Sequence, residues 1–370
     1  MSNIKSWADH CSSDEESDDG RIAPPPSGLP GSSSYNQLSG LAGDGDGDDD
    51  DESERRACER LLDEFAEAEV EEIANVSHAH WFVGRNKAKA GGGDDNGLPL
   101  SGDDVPRRRS ALKEIRRHYV GEGRDPSKAV AAVREALGYR RRYRFDVVRS
   151  CFYDDDRNGG NAEDDADDRA KRTKRLILDD LRRQPMVVRG IDDDRRVVVY
   201  KPPRVLLPED DGSTSEEIDE AFLLTQIYTA ERAMATTEFH SRVTTEEEKV
   251  TVVFDFRNYV RKNMPSTSTV IAMIRMVQRC YPERLGVLVV VDAPFWMRAV
   301  YNMVWPFLSA ATRDKLRFAS GRDAVGEELR KIAGGNEELR VMLEDGDISS
   351  VDLTDYTRQP FYSPYEPLTK

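Results

Sequence analysis

Apolar residues run almost unbroken from Val287 to Val291, behind a tight turn at Tyr281-Pro282-Glu283-Arg284-Leu285-Gly286. A short continuous apolar run bounded by turn residues is the pattern of a strand covered on both faces. Asp292-Ala293-Pro294 breaks the run. From Phe295 to about Leu308 the pattern changes to a helical one, with Trp296, Met297, Val300, Tyr301, Met303, Val304, Trp305 and Phe307 placing apolar groups around nearly the whole circumference. Such a helix is either buried on all sides or touches a ligand or lipid on one face. Residues 312–316 predict a short charged helix.

Upstream, strand and helix patterns alternate from Leu176. Residues 187–190 and 196–200 predict a hairpin turned at Asp192-Asp193-Asp194, followed by an amphipathic helix over 216–235 burying Ile218, Phe222, Ile227 and Met234. A buried strand is expected over 249–256, with Val253 among its apolar positions. A helix over 266–279 should place Val270, Ile271, Ile274 and Val277 inside. Residues 324–332 predict a helix and 338–343 a last short strand. Apolar strands separated by helices imply a mixed, largely parallel sheet covered by helices, an α/β fold. Before it, 107–120 and 126–145 predict two helices. Asp125 is the N-cap of the second and Pro126 its first helical residue. Asp154–Asp168 reads as a polar surface loop.

Composition changes this picture mainly at the N-terminus. Residues 1–105 carry 25 acidic and 8 basic side chains, a net charge of −17, whereas the rest carries 45 acidic and 46 basic, a net +1. The Ser-, Gly-, Pro- and Asp-rich first 50 residues are expected to be disordered, because they offer too little apolar surface to offset ordering entropy. Within this tail a partial stripe of Leu61, Leu62, Phe65, Val70 and Ile73 predicts a helix over 52–76. The expected organisation is therefore an acidic tail (1–105), a small helical subdomain with its acidic loop (106–175), an α/β lobe (176–345) and a C-terminal tail (346–370).

The nearly neutral remainder lacks the broad positive footprint a nucleic-acid binder needs. The four isolated cysteines favour neither a disulfide framework nor a zinc site. There is no apolar leader, no glycine at position 2 to myristoylate and no C-terminal prenylation signal, so a cytoplasmic chain with only peripheral membrane contact is expected. No GxSxG, P-loop or GxGxxG occurs, and the five histidines are scattered, so no catalysis, metal or cofactor is expected. His78 and His80 form an HxH pair with no third ligand nearby. Basic clusters at 107–109 with 116–117, at 140–144 and at 171–175 are candidates for approaching anionic headgroups, the alternative being solvated helix faces.

The ordered series of YPERLG turn, apolar strand, apolar helix and Thr312-Arg313-Asp314-Lys315 resembles the C-terminal half of the CRAL-TRIO lipid-binding domain. The resemblance spans roughly 106–345 and is strongest over 249–318. It implies a lobe with a sheet floor and a helical gate over one hydrophobic pocket. Lipid contacts are then implied for Phe295, Trp296, Val300, Met303, Val304, Trp305, Phe307 and Leu308 of the gate, and for Val253, Val289 and Val291 of the floor. Glu283, Thr312 and Lys315 match a phosphoinositide headgroup site in members that bind phosphatidylinositol.

Some family features are missing. Only Arg124 stands near Gly121-Glu122-Gly123, where the family carries an Arg/Lys pair. Asp193-Asp194-Arg195-Arg196 replaces its Asp-Gly-Arg-Pro turn, and the strand position that is aromatic in the family falls at Val198. The expected function is a monomeric carrier that binds one phospholipid or other lipophile and transfers it in transient contact with a membrane. The alternative is a lipid-sensing scaffold that recruits protein partners.

Overall fold

The computed structural model describes residues 47–82, 107–152, 164–202, 213–240, 243, 248–257, 265–295, 301–302, 305, 308, 310–346 and 351–366. The helical layer contains α1 (Gly47–Leu62), α2 (Glu67–Ala74), α3 (Arg107–Gly121), α4 (Pro126–Arg142) and α5 (Phe145–Ser150). It is followed by α6 (Asp164–Arg183), β1 (Val187–Ile191), β2 (Val197–Lys201), α7 (Ser215–Phe239), β3 (Val250–Asp255), α8 (Thr267–Cys280) and β4 (Leu285–Val291). The chain continues through α9 (Ala310–Asp314), β5 (Leu316–Ala319), α10 (Arg322–Ala333), α11 (Glu337–Asp345) and α12 (Leu353–Arg358).

The strands form one sheet in the order β1-β2-β3-β4-β5. The β1–β2 hairpin is antiparallel and every other pair is parallel, as the alternation of patterns predicts. Parallel neighbours taken in sequence order need right-handed crossovers, which puts the β2–β3, β3–β4 and β4–β5 connections on one face of the sheet. In agreement, Ala233 and Met234 of α7 pack with Val197, Val199 and Val250. On the opposite face, Val325, Leu329 and Ile332 of α10 and Leu339 and Leu343 of α11 join Val253, Val289 and Val291 in the largest core.

Several expectations need correction. The single helix over 52–76 is two helices. The chain turns at 63–66, which buries Phe65, and the Glu69 carboxylate accepts from Ala66 N (3.0 Å) to start α2. Cys58, Leu61, Leu62, Phe65, Ile73 and Ala74 then form a second core with Ala111, Ile115, Ala129, Val133 and Leu137 of α3 and α4. The acidic run assigned to a loop up to Asp168 already belongs to α6 from Asp164, since acidic residues suit the positive end of a helix.

The strand expected at 338–343 is helix α11. Asn336 caps it by accepting from Leu339 N (3.1 Å), Leu339, Met342 and Leu343 share its buried side, and Gly346 ends it in the left-handed region (φ 66°). A period of 3.6 outweighs a short apolar run there. The short helix expected at 312–316 is α9, set two residues earlier, and the sequence reading missed β5 after it, a four-residue edge strand too short to announce itself by alternation. In α8 the buried residues are Met276 and Cys280, while Val270, Ile271, Ile274 and Val277 are half-buried.

The segment read as a C-terminal tail buries Tyr356, Phe361 and Tyr365 in the main core. Tyr365 N donates to Val188 O (2.8 Å) and Tyr356 Oη accepts from Val188 N (3.1 Å). These bonds satisfy polar groups on the β1 edge that would otherwise template another strand.

Candidate functional site

Register decides which side chains face which layer. Val252, Leu288 and Leu316 lie side by side across β3, β4 and β5, as do Phe254, Val290 and Phe318. The alternate set is Val253 and Asp255 of β3, Val289 and Val291 of β4, and Arg317 and Ala319 of β5. Because strand side chains alternate, the two sets point to opposite faces.

The second set is closed. Val253, Val289 and Val291 are at most 1% exposed. Tyr200 Oη donates to Asp255 Oδ2 (3.3 Å), and Arg257 binds Asp255 while donating to Leu343 O (2.8 Å). Arg317 reaches Glu328 of α10 (3.4 Å). The sequence reading placed Val253, Val289 and Val291 on the floor of a pocket; they belong instead to the packed α10–α11 side. The β4 run is apolar at both parities, so sequence carries no signal for choosing between them.

The first set lies on the crossover face. Val252, Phe254, Leu288 and Leu316 are half-buried and Phe318 is exposed. Leu288, Val290, Leu316 and Phe318 belong to none of the three apolar cores formed by described residues. At the β5 edge the Tyr301 ring meets Phe318 edge-on at 5.2 Å and Trp305 at 5.0 Å. The Arg313 guanidinium lies over Trp305 at 4.3 Å and donates to its carbonyl (2.8 Å). Burial pushes the Tyr301 phenol up. Of the expected gate, Phe295 is 82% exposed and Trp305 and Leu308 are half-buried. Trp296, Val300, Met303, Val304 and Phe307 lie outside the described residues.

The YPER turn divides its side chains between two tasks. Tyr281 and Arg284 turn inward. Tyr281 Oη donates to Glu231 Oε1 (2.6 Å), and Arg284 donates to Glu248 Oε2 (2.6 Å). Pro282 packs on Gly121, where an added Cβ would stand 3.5 Å from the proline Cβ. Glu283 adopts φ 56° and turns outward to Lys315, 3.6 Å away, with both side chains partly exposed. Lys315 N donates to Thr312 O (3.2 Å), which closes the turn after α9 and keeps Thr312 beside the pair. The three expected headgroup residues therefore share one edge of the sheet.

Sequence reasoning missed the buried network behind this turn. Glu231 of α7 is fully buried. Arg149 donates to it, as does Arg140 (3.0 Å), and His78 Nε2 lies 3.1 Å from its Oε2. Burial alone would raise the Glu231 carboxyl, but Arg140 and Arg149 outweigh it and hold the group well below its usual range. Burial, reinforced by Arg149, lowers His78. His78 thus serves this network, and His80 reaches Glu71 (3.2 Å).

The basic clusters are also largely engaged. Arg107 pairs with Glu67 and Glu71, Arg116 and Arg124 with Glu54, Arg134 with Glu69, and Arg141 with Glu72. Among the described residues no group of His, Cys, Asp and Glu could hold a metal ion, and no helix is long and apolar enough to cross a membrane.

Residues 181–335 match the CRAL/TRIO domain, a span that runs from the end of α6 past α10. The phosphatidylinositol transfer protein PDR17 of Saccharomyces cerevisiae is 34% identical over 76 residues, which is 19% of this chain and 22% of that protein. The chain thus spans about a fifth of that relative's length. The crystal structure of Sfh5 aligns over 79% of this chain and 96% of that chain, with 16% identity and a TM-score of 0.43. The CRAL/TRIO match falls on the lobe that carries the β-sheet.

Proposed function

We propose that the protein binds one lipid, a phospholipid or another lipophile, between the crossover face of β3–β5 and the helices above it, and transfers or presents it at membranes. The observation that carries this reading is the row Val252, Leu288 and Leu316 beside Phe254, Val290 and Phe318, an apolar surface of which Leu288, Val290, Leu316 and Phe318 stand outside every apolar core of the described residues. The half-buried α8 residues Val270, Ile271, Met273 and Ile274 add to it. Each methylene removed from water is worth about 0.8 kcal/mol, so such a surface favours an acyl chain strongly. Glu283 and Lys315 at the edge supply a tethered ammonium for a phosphate.

A scaffold that senses lipid without transferring it is favoured by one observation. Arg124, the cation next in sequence to Gly121–Gly123, is held by Glu54 at 2.8 Å. Native mass spectrometry of protein from a eukaryotic host, with lipid extraction, tests the proposal. One bound lipid per chain is expected, with its phosphate-dependent share reduced by Lys315→Ala. An empty protein that takes no lipid from vesicles would overturn it.

A further inference from the structure

A concave site lies among the helices, apart from the β3–β5 residues. The end of α4, the start of α5, the middle of α6 and the first turns of α7 enclose a cleft of about 440 Å³. Its apolar wall is Val147, Leu223 and Leu224, with the Tyr143 ring beside them. Four arginines reach its rim, Arg142, Arg144, Arg169 and Arg172.

Two of them are committed. Arg172 grips Glu220 with two bonds (2.5 and 2.6 Å), and Arg144 holds Asp146 (3.2 Å). The other carboxylate of the cleft, Asp219, accepts from Ser266 N (2.7 Å), Ser266 Oγ (2.7 Å) and Thr269 Oγ1 (2.8 Å), and so is turned to the start of α8. Arg142 and Arg169 are exposed and make no ion pair among the described residues. Arg142 lies over the Tyr143 ring at 5.3 Å. The contrast with the rest of the helical layer is sharp, because Arg107, Arg116, Arg134 and Arg141 all have carboxylate partners there.

We infer that this cleft binds a phosphate group carried on an apolar body, with Arg142 and Arg169 holding the phosphate and Leu223, Leu224 and Val147 receiving the body. Guanidinium forks match phosphate oxygens in geometry and charge; Glu220 is neutralised by Arg172, and the Asp219 carboxylate is turned to the neutral donors of Ser266 and Thr269. None of its lining residues belongs to the lipid face proposed above.

The test uses the full chain and isothermal titration with dihexanoyl phosphatidic acid kept below its micelle concentration, with inorganic phosphate as a second ligand. Co-sedimentation with phosphatidylcholine vesicles containing phosphatidic acid is the third arm. The double substitution Arg142→Glu/Arg169→Glu is expected to weaken the short-chain lipid about tenfold or more, as loss of two charged hydrogen-bonding groups requires. Leu223→Gln should weaken that ligand and leave inorganic phosphate unchanged. Val252→Trp, at the proposed sheet-side face, should leave inorganic phosphate unchanged and should preserve the drop in lipid affinity caused by the double substitution. Loss of vesicle binding together with the soluble ligand assigns a membrane headgroup. Loss of the soluble ligand alone assigns a free phosphoester. Unchanged affinity in the double variant at an unchanged melting temperature overturns the site, as does loss of binding in Val252→Trp only.

Discussion

In the helical layer of 47–152, charged side chains are consumed by one another; on the crossover face of β3–β5, apolar side chains are left partly uncovered. The first region joins Glu54, Glu67, Glu69, Glu71 and Glu72 of α1 and α2 to arginines of α3 and α4, above a core built around Phe65 and Ile115. Behind that core, Glu231 collects Arg140, Arg149, His78 and Tyr281. The second region has Leu288, Leu316 and Phe318 with no comparable cover among the described residues. One region has its donors and acceptors satisfied in place, as a rigid support requires. The other has surface still to bury, as a binding face requires.

Three substitutions or titrations would break or sharpen this contrast. The largest effect is expected at Glu231, because Glu231→Ala leaves two buried guanidinium groups without their counter-charge. A loss of about 3–5 kcal/mol in urea denaturation is expected. A midpoint close to that of the parent protein would mean that the network is no more than a set of surface pairs.

Next comes the parity of the sheet. Val289→Ala on the closed face should cost about 2 kcal/mol and leave bound lipid unchanged, whereas Leu288→Ala should cost about 1 kcal/mol or less and reduce lipid retention. Reversed outcomes in melting and lipid-extraction measurements would place the pocket on the α10–α11 side.

The smallest effect is expected from pH. His78 titrates below its ordinary 6.5 and Glu231 well below its ordinary 4.5. In both cases the unfolded chain takes up the proton first, so each contributes stability that is complete above the ordinary value and is lost as pH falls towards the folded one. The melting temperature should therefore decline below about pH 6.5 and more steeply below about 4.5. His78→Gln should flatten the upper part of that decline. A flat profile between the two values in the parent protein would show that His78 is not held neutral by its surroundings.

The sequence by itself determined the elements whose signals are local. Asp125 caps α4 by accepting from Lys128 N (3.1 Å), with Pro126 at its first position, as the residue types predict. The β1–β2 hairpin turns at the aspartate cluster, and the β3, β4, α7, α8 and α10 segments fall where their apolar patterns place them. The order of turn and strand was legible too, and Glu283 stands 3.6 Å from Lys315, whose N–H donates to Thr312 O. Only the tertiary structure decided what depends on partners distant in sequence. Whether Val289 or Leu288 faces the α10–α11 side is fixed by the register of β4 between β3 and β5 and by α10 packing on one side, and a strand apolar at both parities encodes neither. The fate of each arginine rests on the same kind of information. Arg116 and Arg142 look alike along the chain, yet Glu54, from a helix sixty-two residues earlier, neutralises the first at 2.7 Å, while the second borders an open cleft. Charge and hydropathy are properties of a residue; satisfaction and exposure are properties of its neighbours, and the fold alone supplies those.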